Sequence, residues 1–217
     1  MLKGADWIKE KERSFYYIQP SLLNQKKLHE LVFEDQRFEN KDIKAKPLQK
    51  GSYTECTFVR YNFENSTLSG FEFIDCTFNH CNLALAVVND TRFKNVKFED
   101  CKMSGIDFST CNDFLFEVHC INCMLDYASF YQKKMMKAIF SGCSLLEVDL
   151  TDTNLSGAIF KNCNLLRTTF NRTNLEKADL STATNFSIDP ENNRVKNAKF
   201  SLQGLPGLLG RYQIKIV

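Results

Sequence analysis

The segment 119–123, which reads HCINC, holds the residues best suited to metal chemistry: two cysteines three positions apart beside a histidine. Cysteine and histidine side chains bind zinc, but a zinc site needs four converging ligands and usually two such pairs. The sequence adds only His80 next to Cys81. We therefore interpret these residues as structural and expect no metal and no other cofactor.

Catalytic chemistry also has few candidates. A nucleophilic serine or cysteine needs a nearby base, and the sequence has three histidines, His29, His80 and His119. Neighbouring carboxylates such as Glu99 and Asp100 have a solvated surface as their default explanation. No glycine-rich phosphate-binding loop occurs. The sequence therefore predicts a protein that is not an enzyme.

Charged residues are nearly balanced, with 28 basic and 26 acidic side chains and a net charge of +2. Between Phe33 and Leu180 there are 20 acidic and 17 basic residues, a net charge of −3, so the ends of the chain are basic. Lys133, Lys134 and Lys137 form a local basic cluster. Nucleic-acid binding needs a broader stripe with interleaved aromatic residues, so we do not expect direct DNA binding.

No stretch of the sequence is apolar enough to be a signal-peptide core or a membrane span. We therefore expect a cytoplasmic protein that does not contact a membrane. Nine cysteines, an odd number in a reducing compartment, argue against a disulfide framework. The spacing of the apolar residues offers a different explanation for them.

Apolar residues recur at every fifth position through most of the chain. A first series of sixteen runs from Phe33 to Phe108, the register slips by two residues around Cys111 and Asn112, and a second series of fourteen begins at Leu115. Neither a helix, with a period of 3.6, nor a strand, with a period of two, keeps a five-residue spacing on one face. A chain that turns a corner every five residues does, and four such sides make a turn of twenty residues.

Residues twenty positions apart should therefore stack on one another, about 4.8 Å apart. In the second series, the position two residues before each central residue is mostly small, with Asp113 and Lys133 as exceptions. A large inward residue beside a small one fills a narrow interior without voids. Cysteines stack in the small column as Cys123, Cys143 and Cys163. The predicted core ladders are Phe38, Phe58, Phe78 and Phe98, and Leu125, Leu145 and Leu165.

The pattern divides the chain into four segments. Residues 1–30 form an N-terminal cap, residues 31–110 the first repeat block, residues 111–182 the second block after the two-residue slip, and residues 183–217 a loop, a last coil and a C-terminal cap or dimerisation element. Caps are needed because an open solenoid exposes its core and edge backbone at both ends.

Both caps have helical signals. In the N-terminal cap, a short helix is predicted from the apolar side formed by Leu22, Leu23, Leu28 and Leu31. At the C-terminus, the segment 204–217 predicts a short helix followed by an alternating strand with Ile214 and Ile216.

The stretches TNLSGAIFKNCNL (153–165) and TNLEKADLS (173–181) are similar to the pentapeptide-repeat family, whose unit is written loosely as small, Asp or Asn, Leu or Phe, polar, variable. The resemblance covers about residues 31–182. It implies an all-β fold, a right-handed quadrilateral β-helix with short helical caps.

The two-block repeat and the tail resemble the quinolone-resistance (Qnr) branch of that family. The long loops that project from many members of that branch do not occur here. In that branch the C-terminal element joins two protomers. The resemblance therefore implies a homodimer through Leu205, Leu208, Leu209, Tyr212 and Ile214.

Members of the Qnr branch bind the type II topoisomerases gyrase or topoisomerase IV as an acidic, DNA-like rod, and some protect the enzyme from quinolones. The resemblance implies the same partner and DNA mimicry here, and stacking places Asp35, Glu55 and Asp75 in a candidate acidic binding column. The alternative is a rigid scaffold or adaptor for an unknown protein partner. A continuous negative face would favour mimicry, whereas a patchwork of both signs would favour the adaptor.

Overall fold

The structure is a computed structural model, and it describes residues 31–43, 45 and 47–215. The predicted N-terminal cap, residues 1–30, lies outside the described residues. Leu31, expected on the apolar side of its helix, is instead the first residue of a β-strand. Within them the chain forms short strands and turns, with little helix. The strands are β1 (Leu31–Glu34), β2 (Arg37–Glu39), β3 (Gly51–Thr54), β4 (Thr57–Val59), β5 (Glu72–Ile74), β6 (Thr77–Asn79), β7 (Arg92–Lys94), β8 (Val96–Glu99), β9 (Val118–Ile121), β10 (Ile139–Ser141), β11 (Ile159–Lys161), β12 (Asp179–Leu180) and β13 (Lys199–Phe200).

Every strand pair is parallel and joins successive turns of one coil. One sheet has the order β1-β3-β5-β7, and a nine-stranded sheet runs from β2 through β4, β6 and β8 to β13, with one strand from each turn. Isolated parallel bridges such as Asp42 with Asn62 and Thr67 with Val87 form the other two sides. The four-sided parallel β-solenoid expected from the five-residue period is confirmed.

The corners are made by residues in the left-handed backbone region, two positions after each central residue. Asn and Asp enter this region at the lowest cost among residues with a side chain, and they are frequent there. Leu85, Tyr127 and Lys137 also adopt it, with φ of 55°, 63° and 61°. The stacked turns therefore hold the corner conformation even where the side chain does not favour it.

The interior consists of the predicted ladders. Phe58, Phe78 and Phe98 are fully buried, as are Leu125, Leu145 and Leu165, while Phe38 at the N-terminal end is half-buried. The ring of Phe78 stacks between Phe58 and Phe98 with centroid distances of 4.7 and 5.0 Å. A ladder with one aromatic ring per turn packs in this way because offset-stacked rings match the strand spacing.

The small interior column has a hydrogen-bonding role as well as a packing role. The thiol of Cys76 donates to the carbonyl of Tyr53 over 3.2 Å, and the hydroxyl of Thr153 donates to the carbonyl of Phe130 over 2.9 Å. Cysteine and threonine fit this column because they are small and still satisfy a buried carbonyl oxygen. All nine cysteines are buried and free of disulfides.

The two-residue slip is confirmed, but its position was predicted a few residues too early. The amide of Asn112 still donates to the carbonyl of Thr91 in the regular register, and the pairing is shifted by two only from Val118. Leu115, predicted to be central, is 54% exposed with φ +56°, whereas Phe116 is buried. The extra residues bulge outward, and Phe116 enters the core because its ring packs on Phe108 at 6.0 Å.

The C-terminal segment contains 3₁₀ helices at Leu202–Leu208 and Gly210–Tyr212. The predicted short helix is therefore confirmed in 3₁₀ form, and the hydroxyl of Ser201 caps it by accepting from the amide of Gly204. The predicted strand was wrong for Ile214 and Lys215, which are irregular. Ile216 lies outside the described residues. Residues 213–215 form no strand pairing in the described coil.

Candidate binding surface

The three predicted acidic residues do lie in one outward column. Asp35, Glu55 and Asp75 are exposed, and each has the left-handed corner conformation, with φ of 48°, 54° and 53°. The backbone amide of each donates to a carbonyl of the next turn over 2.9 to 3.1 Å. The carboxylates are therefore held on one edge at the turn spacing of about 4.8 Å. Asn95 ends the column and donates to Asp75 over 2.6 Å.

Several other carboxylates are paired with a basic residue about one turn away. Arg172 donates two hydrogen bonds of 2.7 Å to Asp152, and Arg92 is paired with Glu72. The same relation holds for Arg167 with Glu147, for Arg194 with Glu176, and for Lys199 with Asp179. The rod therefore presents a patchwork of both signs, in which the acidic column is one run of exposed carboxylates.

Lys133 and Asp113, which sequence analysis marked as separate exceptions in the small column, form a pair. Lys133 is buried, and its Nζ donates to the carbonyl of Cys111 over 2.7 Å and to Oδ1 of Asp113 over 2.5 Å. The ammonium also lies 5.3 Å from the ring centroid of Phe116. Lys133 thereby ties the outward bulge to the core. Their separation of twenty residues was the sequence signal that could have revealed this pair.

The cysteines and histidines lie where their structural interpretation places them. Cys120 and Cys123 are buried inward residues. Burial raises the pKa of the Cys76 thiol to about 12, so this thiol stays protonated and unreactive at neutral pH. His119 accepts from the amide of Ile139 over 3.2 Å. Among the described residues, no group of three or more His, Cys, Asp or Glu side chains is arranged to hold a metal ion.

A cleft of about 370 Å³ lies at the C-terminal end of the rod, against the 3₁₀ helix at Leu202–Leu208. Its lining includes Phe186, Gln203, Gly204 and Gly207 and contains no titratable side chain. The glycines allow the helix to lie directly on Phe186, since a Cβ at Gly207 would come within 2.4 Å of the Phe186 carbonyl oxygen. The cleft is thus a consequence of how the tail packs and carries no acid-base group.

The predicted dimer residues differ in their exposure. Leu205, Tyr212 and Ile214 are 42%, 52% and 56% exposed. Leu208 packs against the core, and Leu209 is half-buried. Two ion pairs and one hydrogen bond hold the segment on the preceding loop: Arg211 pairs with Asp189 and Glu191, and the hydroxyl of Tyr212 donates to Glu191 over 2.9 Å. The outward apolar side chains are therefore presented on an anchored element.

In the part of the chain that the structure describes, no helix is both long and apolar enough to cross a membrane.

Comparison with known proteins agrees with the repeat. A family model described as pentapeptide repeats matches residues 72–110 and 149–184. No curated protein matches the chain. Two solved structures of trypsin-treated variants of QnrB1, described as a plasmid-mediated fluoroquinolone resistance protein, are similar in fold. One has a TM-score of 0.68 at 15% identity, covering 90% of this chain and 95% of QnrB1. The other has a TM-score of 0.56 at 17% identity, covering 87% and 98%.

The matched repeats, the twenty-residue register and the four-sided coil together give one assignment, and the solved structures add a fold likeness along nearly the whole rod. The chain contains pentapeptide repeats at residues 72–110 and 149–184, and its fold is similar to that of QnrB1.

Proposed function

We propose that this protein is a non-enzymatic binding rod that engages a type II DNA topoisomerase, gyrase or topoisomerase IV, and protects it from quinolones. The observation that carries the proposal is the exposed column of Asp35, Glu55 and Asp75 along one edge of a stiff solenoid. A line of carboxylates at fixed spacing competes for a basic groove that otherwise binds phosphates. The fold likeness to a fluoroquinolone resistance protein supports the choice of partner.

A supercoiling assay tests this proposal. Purified protein is titrated against a fixed amount of gyrase and DNA, with and without a quinolone, and the assay is repeated as decatenation with topoisomerase IV. We expect inhibition of the enzyme or rescue from the drug at micromolar protein. No effect on either enzyme would contradict the topoisomerase proposal.

Charge reversal tests whether the acidic column is the contact. The variant Asp35→Lys, Glu55→Lys, Asp75→Lys should lose the effect on the topoisomerase while remaining folded, because lysine already occupies the same corner conformation at Lys137 and Lys177. The matched control is Asp90→Lys with Asp100→Lys, two exposed acidic corners on other edges of the rod. If the control loses the effect equally, the acidic column is not the contact.

A second candidate function is a rigid scaffold or adaptor for another protein. The cross-turn ion pairs favour it, because they leave most of the rod close to neutral. Pull-down with the purified rod and with the charge-reversal variant would identify such a partner. A partner that is not a topoisomerase, in a protein without effect in the supercoiling assay, would favour the adaptor.

The proposal includes a homodimer through the C-terminal segment. Its support is the exposure of Leu205, Tyr212 and Ile214 on an element that Arg211 and Tyr212 anchor to the coil. Leu205→Asp should convert a dimer to a monomer in light scattering after size exclusion. A wild-type monomer at all accessible concentrations would contradict this part of the proposal.

A further inference from the structure

One side of the rod changes its character twice along its length. This side, which we call the β1 face, carries the outward residues of β1, β3, β5 and β7 and the corner residue that follows each strand. It continues through the bulge at 113–116 to the outward residues of 134–137, 154–157, 174–177 and 194–197. Parallel bridges from Lys134 to Asn154, Asn154 to Asn174 and Asn174 to Arg194 keep its C-terminal part in register. The three parts therefore follow one another along a single straight face.

The first part of the β1 face is acidic. Glu34, Asp35, Glu55 and Asp75 are all exposed there. The basic residues of these turns on the face are Arg92, which is already paired with Glu72, and Lys94, so acidic residues outnumber basic ones. The acidic part therefore has an excess of negative charge that its own turns do not neutralise.

The middle of the β1 face is apolar. Phe114, Leu115 and Met136 are 65%, 54% and 60% exposed. Arg92 lies 5.8 Å from the ring centroid of Phe114 and shields part of one surface of the ring. Large exposed apolar side chains grouped in this way mark interaction sites more often than they occur without a role.

The last part of the β1 face is basic. Lys134, Lys137, Lys177 and Lys196 are exposed there, and none of them has an ion-pair partner in the part of the chain described. The carboxylate of Glu176 on this part is engaged by Arg194 over 2.9 Å. The basic part thus has four free ammonium groups to match the carboxylates of the acidic part.

We propose that the β1 face binds the β1 face of a second copy of this chain in an antiparallel pair. A two-fold axis perpendicular to the face, passing near the bulge, places the basic part of each copy on the acidic part of the other and the apolar middle on itself. Such an isologous contact is self-complementary, with an apolar centre and charged ends. Each half of the face alone would attract a charged ligand, but a nucleic acid is repelled by the acidic half and a basic protein by the basic half.

The pair would cover the acidic column that the proposed topoisomerase contact uses, so self-association and topoisomerase binding compete. The existence of the pair does not depend on the identity of that partner. It is also distinct from the proposed C-terminal dimer, because Leu205 and Tyr212 are not on the β1 face.

Sedimentation velocity at low and at high salt provides the first test. We expect a concentration-dependent association at low salt that weakens as salt rises, since screening acts within about 10 Å at 0.1 M. Leu205→Asp should leave this salt-sensitive association intact. If the protein shows no salt-sensitive association at any concentration tested, the proposal is overturned. The face would then bind another protein that carries a basic and an acidic region of its own, not a second copy of this chain.

A charge swap provides the second test. Reversing the basic part with Lys134→Glu, Lys137→Glu and Lys177→Glu should weaken association at least about tenfold, because several charge pairs are lost together. Reversing the acidic part with Asp35→Lys, Glu55→Lys and Asp75→Lys should have the same effect. An equimolar mixture of the two variants should form a heterodimer, because each presents a face that attracts the other.

The control is Lys161→Glu, an exposed lysine on the sheet that contains β11, which should not change association. Failure of the mixture to associate, or equal loss in the control, would overturn the antiparallel pairing. The variant Lys134→Glu, Lys137→Glu, Lys177→Glu separates this inference from the proposed function, because it should lose association and keep a normal effect on topoisomerase in the supercoiling assay.

Discussion

At the residue scale, Lys133 is the side chain whose environment differs most from what its type suggests. Its stem occupies an interior position that cysteine, alanine or threonine takes in other turns, and its ammonium emerges at Asp113, which is 82% exposed. An amphipathic side chain suits this place because its methylenes pack inside while the charge finds partners at the edge. The bulge therefore depends on one long cation rather than on a strand ladder.

Removing Asp113 should destabilise the protein because the buried ammonium of Lys133 loses its anionic partner. We expect Asp113→Ala to lower the free energy of unfolding by about 1 to 3 kcal/mol. In a Lys133→Met background the same change should cost clearly less, since the charge is gone. Urea unfolding of the four proteins in this double-mutant cycle measures the coupling, and additive effects would show that the pair is not coupled.

The ion pair of Asp152 with Arg172 should contribute to acid sensitivity. The hydrogen bonds from Arg172 lower the pKa of Asp152 below its ordinary value of 3.8. A depressed folded pKa gives stability that is fully present above the unfolded pKa and is lost as pH falls through the folded pKa. Unfolding midpoints from pH 7 down to pH 2 should thus fall less steeply below pH 4 in Asp152→Asn and in Arg172→Gln. A slope equal to the wild type in both variants would contradict this contribution.

At the scale of elements, each turn is stabilised mainly by contact with the turns on either side. The phenylalanine ladder shows this dependence, since Phe78 is stacked on both sides, whereas Phe38 lies in the first described turn and is half-buried. A substitution in the middle of a ladder removes contacts to two neighbours and leaves a cavity that the rigid coil does not close.

Phe78→Ala should lower the free energy of unfolding by about 3 to 5 kcal/mol, because it creates a large cavity in the core. Phe38→Ala should cost distinctly less, since that ring already contacts solvent. Chemical denaturation compares the two variants. Equal costs would show that the N-terminal turn is as firmly packed as the middle of the coil.

At the scale of the whole molecule, the rod is close to a one-dimensional stack, so its stability should vary along the axis. Tyr53 and Leu180 mark the range in which the inward central residues are buried, and the outer segments are more exposed. Local opening in such a stack begins where the fewest apolar contacts are broken.

Hydrogen exchange followed by mass spectrometry should therefore show the slowest exchange in the turns between Tyr53 and Leu180. Faster exchange is expected for Leu31–Glu34 and for the 3₁₀ helices at Leu202–Leu208 and Gly210–Tyr212. Slower exchange in the C-terminal helices than in the central turns would contradict a stability gradient in the monomer and would instead favour a dimer contact there.

The sequence by itself determined the coil, the ladders and the acidic column, because a five-residue period leaves one arrangement for its inward residues and repeats it in every turn. Phe58 above Phe38 and Asp75 above Glu55 follow from counting twenty residues. Where two extra residues interrupt the repeat, counting twenty positions no longer identifies the residues that stack on one another. Only the tertiary structure decided that Phe116 rather than Leu115 enters the core, because that choice depends on the space the neighbouring rings leave.

The tertiary structure also decided how charges are distributed around the rod. The regional net charge is a sum. It does not show that Arg172 neutralises Asp152, or that Lys137 and Lys177 have no ion-pair partner among the described residues. The pairing of Lys133 with Asp113 and the irregular end at Ile214 likewise depend on which neighbours the folded chain brings within reach. The backbone pattern is local and repeated, so the sequence specifies it; the surface combines residues from different turns, so it is settled only when the turns stack.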